Sequence, residues 1–221
     1  MKQKVSVFFM LLGMLFNVCL IAANLLETKV IEVCGLTLTC GLLVFPVSYI
    51  INDCIAEVWG FAKARIIIWS GFAMNFFVVA MGLVAVQLPA APFWEGEEHF
   101  NFVFGMTPRI VVASLLAFLV GSFLNAYVMS RMKLKSRGRH FAFRAIASTL
   151  VGETADSLIF FPIAFGGVLG WAELIPLMVA QVVLKSMYEV VVLPLTAYVV
   201  NVVKRVEQTD VYDEGISYRI L

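Results

Sequence analysis

Residues 66–88 read IIIWSGFAMNFFVVAMGLVAVQL, without one charged side chain. At about 1.5 Å of rise per residue, a helix of this length crosses roughly 30 Å of hydrocarbon. Five further stretches qualify in the same way: residues 5–24, 35–51, 110–130, 145–165 and 175–203. Pro46, Pro176 and Pro194 fall inside them. Proline is tolerated in membrane helices because neighbouring helices satisfy the amides and carbonyls it frees. Composition agrees. AVILMFWYC make up 62% of 221 residues and DEKR only 14%, against about a quarter charged in soluble domains. One water-soluble core of this size cannot hide that much apolar surface. The expected fold class is an all-α integral membrane protein, a bundle of six transmembrane helices. Residues 1–205 form a single domain, and 206–221 a short, polar, loosely ordered cytoplasmic tail. Lys2 and Lys4 before an apolar run also describe a signal peptide. The run is too long for that, and nothing soluble follows it.

Of the 16 Lys and Arg, all but Lys29, Arg109 and Lys185 fall on one set of helix ends. Basic loops stay in the cytoplasm, so both termini are expected there. The 89–108 segment then faces outward. Its Phe93, Trp94 and Phe100 beside Glu95, Glu97 and Glu98 suit an anchor at headgroup level, with a lid over an external vestibule as the alternative. The basic residues from Arg131 to Arg144 are explained by topology, without a lipid ligand.

Several function classes lose their support. A net charge of +1 with no basic domain disfavours nucleic acid. Cys19, Cys34, Cys40 and Cys54 show no paired spacing, and His99 and His140 lie in loops on opposite sides, so no metal or cofactor is expected. No Ser/His/Asp set can be assembled, no phosphate-cradling loop is present, and no strand-rich segment is evident. No catalytic residue is assigned.

Ionisable groups at membrane depth cost roughly 2.5–3.5 kcal/mol each on insertion scales, so each needs a reason. Glu153 and Asp156, three residues apart, share one helical face with Thr149 and Ser157. No cation stands near them in sequence, so they must meet a cavity, a partner span or a proton. Gln181, Lys185 and Glu189 repeat at spacings of four, with Tyr188 adjacent. Lys185 and Glu189 can neutralise one another along that face. Asn52, Asp53 and Glu57 sit at the cytoplasmic end of the second span, and Arg109 at the outer start of the fourth, where Asp53, Glu57 and Arg109 can reach water. Asn17 and Asn24 share a face of the first span. Ala113, Ala117, Gly121 and Asn125 form a small-residue stripe that reads as a helix-packing seam. Polar groups on the inner faces of several spans, with no catalytic apparatus, point to a small transporter. A membrane enzyme using the buried acids is the second class.

The runs Phe45-Pro46, Asp53 with Glu57-Val58-Trp59-Gly60, Arg109 with Ala113-Ser114 and Gly121, Ala147 to Ser157, and Lys185 with Tyr188-Glu189 and Pro194 resemble the queuosine precursor transporters, also called the vitamin uptake transporter family. The likeness covers about residues 20–205. It implies a multi-pass protein of the bacterial inner membrane that imports 7-cyano- or 7-aminomethyl-7-deazaguanine, or queuine, for tRNA modification. The substrate-binding residues it suggests, together with the buried inventory, are Asp53, Arg109, Glu153, Asp156, Gln181, Lys185, Tyr188 and Glu189. A deazaguanine offers adjacent N–H donors to a carboxylate and an O6 acceptor to a cation or amide. Trp59, Tyr188, Phe160 and Phe161 are candidate walls for its ring. The chain also has the size of a substrate-capture subunit of a larger energy-coupled transporter. Only Ala22 and Ala23 are available in the first span for docking to such a module, so a stand-alone carrier is favoured. Small-residue seams offer a surface for a homodimer.

Overall fold

The computed structural model describes residues 6–26, 28–33, 36–105, 108–167 and 170–219. Its helices are α1 (Val7–Leu26), α2 (Phe45–Trp59), α3 (Phe61–Val86), α4 (Glu97–Phe104), α5 (Pro108–Ser136), α6 (Phe141–Phe165) and α7 (Trp171–Glu207). All but α4 are long and apolar enough to cross a membrane, α2 together with the 3₁₀ turn Cys40–Leu43 before it. Their outer faces carry Met14, Val18, Phe76, Phe77, Val179, Met187 and Val191, all exposed. In a bilayer such faces meet lipid tails, which are as apolar as they are.

Two elements depart from the sequence expectation. Residues Val30–Val33 (β1) and Leu36–Thr39 (β2) form an antiparallel hairpin, with Val30 opposite Thr39 and Val33 opposite Leu36. The sequence showed no strand-rich segment. Val30, Ile31, Val33, Thr37 and Thr39 are β-branched and suit a pleated pair, but β1 fell between two expected spans and β2 inside the apolar run 35–51. The expected outward loop also contains α4, which holds His99 in a helix rather than a loop. Beside it Phe93, Trp94 and Phe100 line a surface groove of about 390 Å³ with Leu88 and Pro89.

The core is built around α2, which packs against α1, α3, α5, α6 and α7. All its side chains except Val47 and Trp59 are buried. A helix enclosed on every side is expected to be apolar all round, yet this one carries Asn52, Asp53 and Glu57. The sequence reading ended the span at residue 51 and let Asp53 and Glu57 reach water. Instead the helix runs to Trp59, and these two acids are 0% and 1% exposed. Hydropathy took the acids for an end because it cannot see the groups that meet them.

Glu57 is met by three cations. Arg144 of α6 grips it with both terminal nitrogens, Nη2 at 3.0 Å from Oε1 and Nη1 on Oε2. Lys204 of α7 donates to Oε1 at 2.7 Å, and Lys133 of α5 stands 4.0 Å away. Arg144 also donates to the Arg139 and Gly138 carbonyls at 3.0 and 3.2 Å. Arg144 and Lys133 are 1% and 2% exposed, so topology alone does not explain them. They neutralise one buried carboxylate, and the two-pronged geometry is the strong form of that pairing.

The tail is not loose. Asp210 pairs with Lys133 and, at 2.9 Å, with Lys204. Asp213 accepts the Phe61 amide at 2.9 Å at the start of α3 and the Ser130 hydroxyl of α5. Gly60 joins α2 to α3 at φ +81°, and a Cβ there would stand 2.5 Å from the Asp213 carboxylate. Glycine is required on both counts. Burial alone would raise the Asp210 carboxyl, but hydrogen bonds and charge from Lys133 and Lys204 outweigh it and hold it below the usual carboxylate range. A depressed folded value means the contact stabilises above the unfolded value of about 3.9 and is lost as pH falls through the folded one. At neutral pH, Asp210→Asn combined with Asp213→Asn removes both anchors, and trypsin should then cut around Arg205 several-fold faster than in the parent chain. Equal cutting rates would show that contacts other than these two acids hold the tail.

The small-residue stripe on α5 closes against α6. A Cβ on Gly121 would stand 3.0 Å from the Gly152 carbonyl, and one on Gly152 would stand 2.9 Å from the Gly121 carbonyl. The two backbones therefore touch, as a seam of small residues allows. Ala113, Ala117 and Asn125 are buried with it. This seam is used up within the chain and leaves no surface there for a second copy.

Candidate functional site

The ionisable residues of α2, α6 and α7 converge in the middle of the bundle. Lys185 of α7 reaches across to α6, with Nζ 2.9 Å from Glu153 Oε2 and 3.7 Å from Asp156 Oδ2. Its ammonium also stands 4.0 Å from the centre of the Phe45 ring at the start of α2, within cation–π range. The expected pairing of Lys185 with Glu189 along α7 is not what forms. The ion pairs of Lys185 among the described residues run to the neighbouring helix. Asp156 therefore does have a cation beside it, supplied by a partner span. The physical reason is that α6 presents two buried carboxyl groups, Glu153 and Asp156, to one ammonium, where α7 offers one.

About two turns further along α2, Asp53 meets α6. Ser148 Oγ is 3.2 Å from both Asp53 carboxyl oxygens and 2.8 Å from the Ala145 carbonyl. Glu189 of α7 has Asp53 and Thr149 as polar neighbours. Neither Glu189 oxygen completes a hydrogen bond among the described residues, although the side chain is buried. Behind this pair, Asn52 Nδ2 donates to the Asn125 side chain at 2.8 Å and the Ser122 carbonyl at 3.1 Å. These amides tie α2 to α5 and hold its polar face toward α6 and α7. Tyr49 fills the notch left by Gly121 and Gly152, and its buried hydroxyl has no hydrogen-bond partner among the described residues.

Of the residues named from sequence, Asp53, Glu153, Asp156, Lys185 and Glu189 come together. Tyr188 instead packs against the cluster of Ile50, Cys54, Val58, Val200 and Val203. Gln181 stands half-buried one turn before Lys185. The Arg109 side chain lies outside the described residues. Among the proposed ring walls, Trp59 stacks edge-on with Phe9, 5.3 Å between centroids, and Phe160 and Phe161 pack on Leu174 and Met178. The aromatic groups at the charges are Phe45 and Tyr49, which sequence reasoning missed. Their signal was spacing: Phe45, Tyr49 and Asp53 fall four residues apart, on one face of α2.

A second polar contact, the Asn24 side chain donating to Asn75 at 2.8 Å with Ser114 at 3.4 Å, links α1, α3 and α5. Asn17 bonds the Gly13 carbonyl of its own helix at 2.7 Å. These amides carry no charge and read as packing.

A mid-membrane cluster of acids around one lysine, framed by two aromatic rings, can bind a polar heterocycle. Residues 39–199 match the family described as "Putative vitamin uptake transporter", and this segment holds every site residue named above. The chain belongs to the vitamin uptake transporter family. It is a multi-pass membrane protein. Among curated relatives, it is 30% identical over 151 residues to the "Probable queuosine precursor transporter" of Bacillus subtilis, covering 67% of this chain and 65% of that one. It is 30% identical over 155 residues to the "Queuosine precursor transporter" of Escherichia coli, covering 68% and 66%. A relative from Haemophilus influenzae, "Probable queuosine precursor transporter", is 33% identical over 132 residues, covering 58% and 52%. The match thus spans just under two thirds of the length of the first two. No solved structure matches the chain. The Glu57 partner Lys204 and the tail acids Asp210 and Asp213 lie beyond the segment that the family match covers.

Proposed function

We propose that this member of the vitamin uptake transporter family imports a queuosine precursor, a 7-deazaguanine, across the bacterial inner membrane. The observation that carries the reading is the buried cluster of Asp53, Glu153, Asp156, Lys185 and Glu189 between α2, α6 and α7, with Phe45 beside the ammonium. A deazaguanine places two N–H donors side by side, which one carboxylate accepts in bidentate fashion. Asp156 takes that role, being held less closely by Lys185 than Glu153 is. Lys185 donates to O6, and Phe45 and Tyr49 flank the ring. The relatives' names support the substrate class. A homodimer would use the lipid-facing sides of α1, α3 or α7.

Cells unable to make the precursor, expressing this chain alone, should accumulate labelled 7-deazaguanine and regain the modified tRNA nucleoside. Uptake that appears only with a nucleotide-hydrolysing partner would instead make the chain a substrate-capture subunit. No uptake in either case would remove the reading.

Both termini are cytoplasmic in this scheme, and Ser136 at the end of α5 lies on their side. Above the background of the native thiols, Gly96→Cys should react with an impermeant reagent added to intact cells, and Ser136→Cys should stay protected. Labelling of Ser136→Cys from outside would invert the orientation and turn import into export.

A further inference from the structure

The charges at this site do not balance. Asp53, Glu153, Asp156 and Glu189 are four buried carboxyl groups, and Lys185 is the cation that the described side chains bring to them. A further cation at Arg109, whose side chain lies outside the described residues, would still leave two acids over. Lys185 is taken by Glu153 and Asp156. The acids that no described cation pairs with are Asp53, which has the Ser148 hydroxyl beside it, and Glu189, neither of whose oxygens completes a hydrogen bond among the described residues at 2% exposure.

Uncharged groups around the pair are short of partners too. Among the described residues Asn52 Oδ1 is an acceptor with no donor, in a side chain 1% exposed. The Tyr49 hydroxyl has no partner among them either and lies within electrostatic reach of Asp53, Glu153 and Asp156. Folded proteins leave few buried polar atoms unpaired, so several orphans in one cluster mark the position of a missing group. A group with positive charge and several N–H donors would satisfy them. A primary ammonium has both, with one charge and three donors. A nitrile has neither, since it is an uncharged acceptor.

We propose that Asp53 and Glu189 form a subsite for a protonated primary amine, so that the chain selects 7-aminomethyl-7-deazaguanine over its 7-cyano analogue. The inference rests on the transport reading above: the ring occupies the Lys185–Asp156 end of the cluster, and the substituent extends toward α2 and Glu189. Hydrogen bonds to charged groups set the expected preference for the amine at on the order of ten- to a hundredfold in Kd.

The test is equilibrium binding of both compounds to the purified full chain in detergent, for the parent, Glu189→Gln and Asp53→Asn. The parent should prefer the amine by the stated factor. Either amide variant should weaken the amine far more than the nitrile and bring the ratio toward one. Two carboxylates rather than one are tested so that a single misfolded variant does not decide the result. Equal affinities in the parent would mean that protons, not an ammonium, neutralise the pair, which overturns this inference and leaves the transport reading standing. A preference that persists in both variants would place the amine elsewhere. A parent chain that binds neither compound overturns both readings.

Discussion

Replacing Lys185 by Met should abolish uptake of a labelled 7-deazaguanine and lower the unfolding temperature of the purified chain. Both effects follow from one distance. Lys185 Nζ is 2.9 Å from Glu153, whose side chain is 0% exposed. Methionine is close to lysine in volume but brings no charge, so Glu153 is left buried without its counter-ion. Removing one partner of a buried pair costs about 3–5 kcal/mol, whereas removing both together is often nearly neutral. The double variant Lys185→Met with Glu153→Gln should therefore regain most of the lost stability. It should not regain uptake, because the proposed donor for O6 and the cation beside Phe45 are gone. That difference separates the two roles. If the double variant transported as the parent does, Lys185 would belong to the scaffold. Rescue of stability by Glu189→Gln rather than Glu153→Gln would mean that the pair runs along α7 instead of across to α6.

Glu57→Gln should be the most damaging single change outside the site. Arg144 holds Glu57 with two nitrogens and is 1% exposed, Lys204 lies at 2.7 Å, and Lys133 completes the ring of charge. Neutralising the carboxylate leaves these cations facing one another where water does not reach Arg144. The cost is again about 3–5 kcal/mol, read as a fall in the yield of monodisperse protein and in its unfolding temperature. Arg144→Met should cost less, since Lys204 still meets Glu57. Combining Glu57→Gln with Arg144→Met should recover part of the loss. An unfolding temperature equal to that of the parent would show that Glu57 is not the hub of this end of the bundle. The tail would be disturbed as well, because Asp210 is held by the same two lysines.

These two lysines show how differently the chain can be read at its two levels. Lys133 and Lys204 entered the sequence argument only as counts toward an orientation. Each is in fact a ligand of a particular acid. The same holds for Arg144, which looked like one of a run of loop charges and is buried against Glu57. Charge counts identify where cations are tolerated. They do not say which anion each one meets.

The six spans were legible because a bilayer imposes a one-dimensional rule: a helix that crosses it must be apolar over a minimum length, whatever its neighbours. Residues 66–88 satisfy that rule without help, and the span observed there, Phe61–Val86, differs from it only at the ends. The acids and the lysine of the site were legible for the same reason, since each violates the rule and so announces itself. Partners were not legible, because pairing depends on which faces of α2, α6 and α7 meet, and those faces are distant in sequence. Helix periodicity placed Lys185 over Glu189, but the two acids of α6, Glu153 and Asp156, hold the ammonium instead. Hydropathy ended the second span at residue 51, but Ser148 and Arg144 allow α2 to carry Asp53 and Glu57 into the core. It also took the second strand of the hairpin, Leu36–Thr39, for part of that span. The sequence alone determined how many segments enter the membrane and which of their residues are out of place there. Only the tertiary structure decided which of those residues neutralise one another and which, like Glu189, are left without a hydrogen-bond partner among the described residues, because a charge in hydrocarbon is stabilised by what stands within a few ångströms of it and not by its neighbours in the chain.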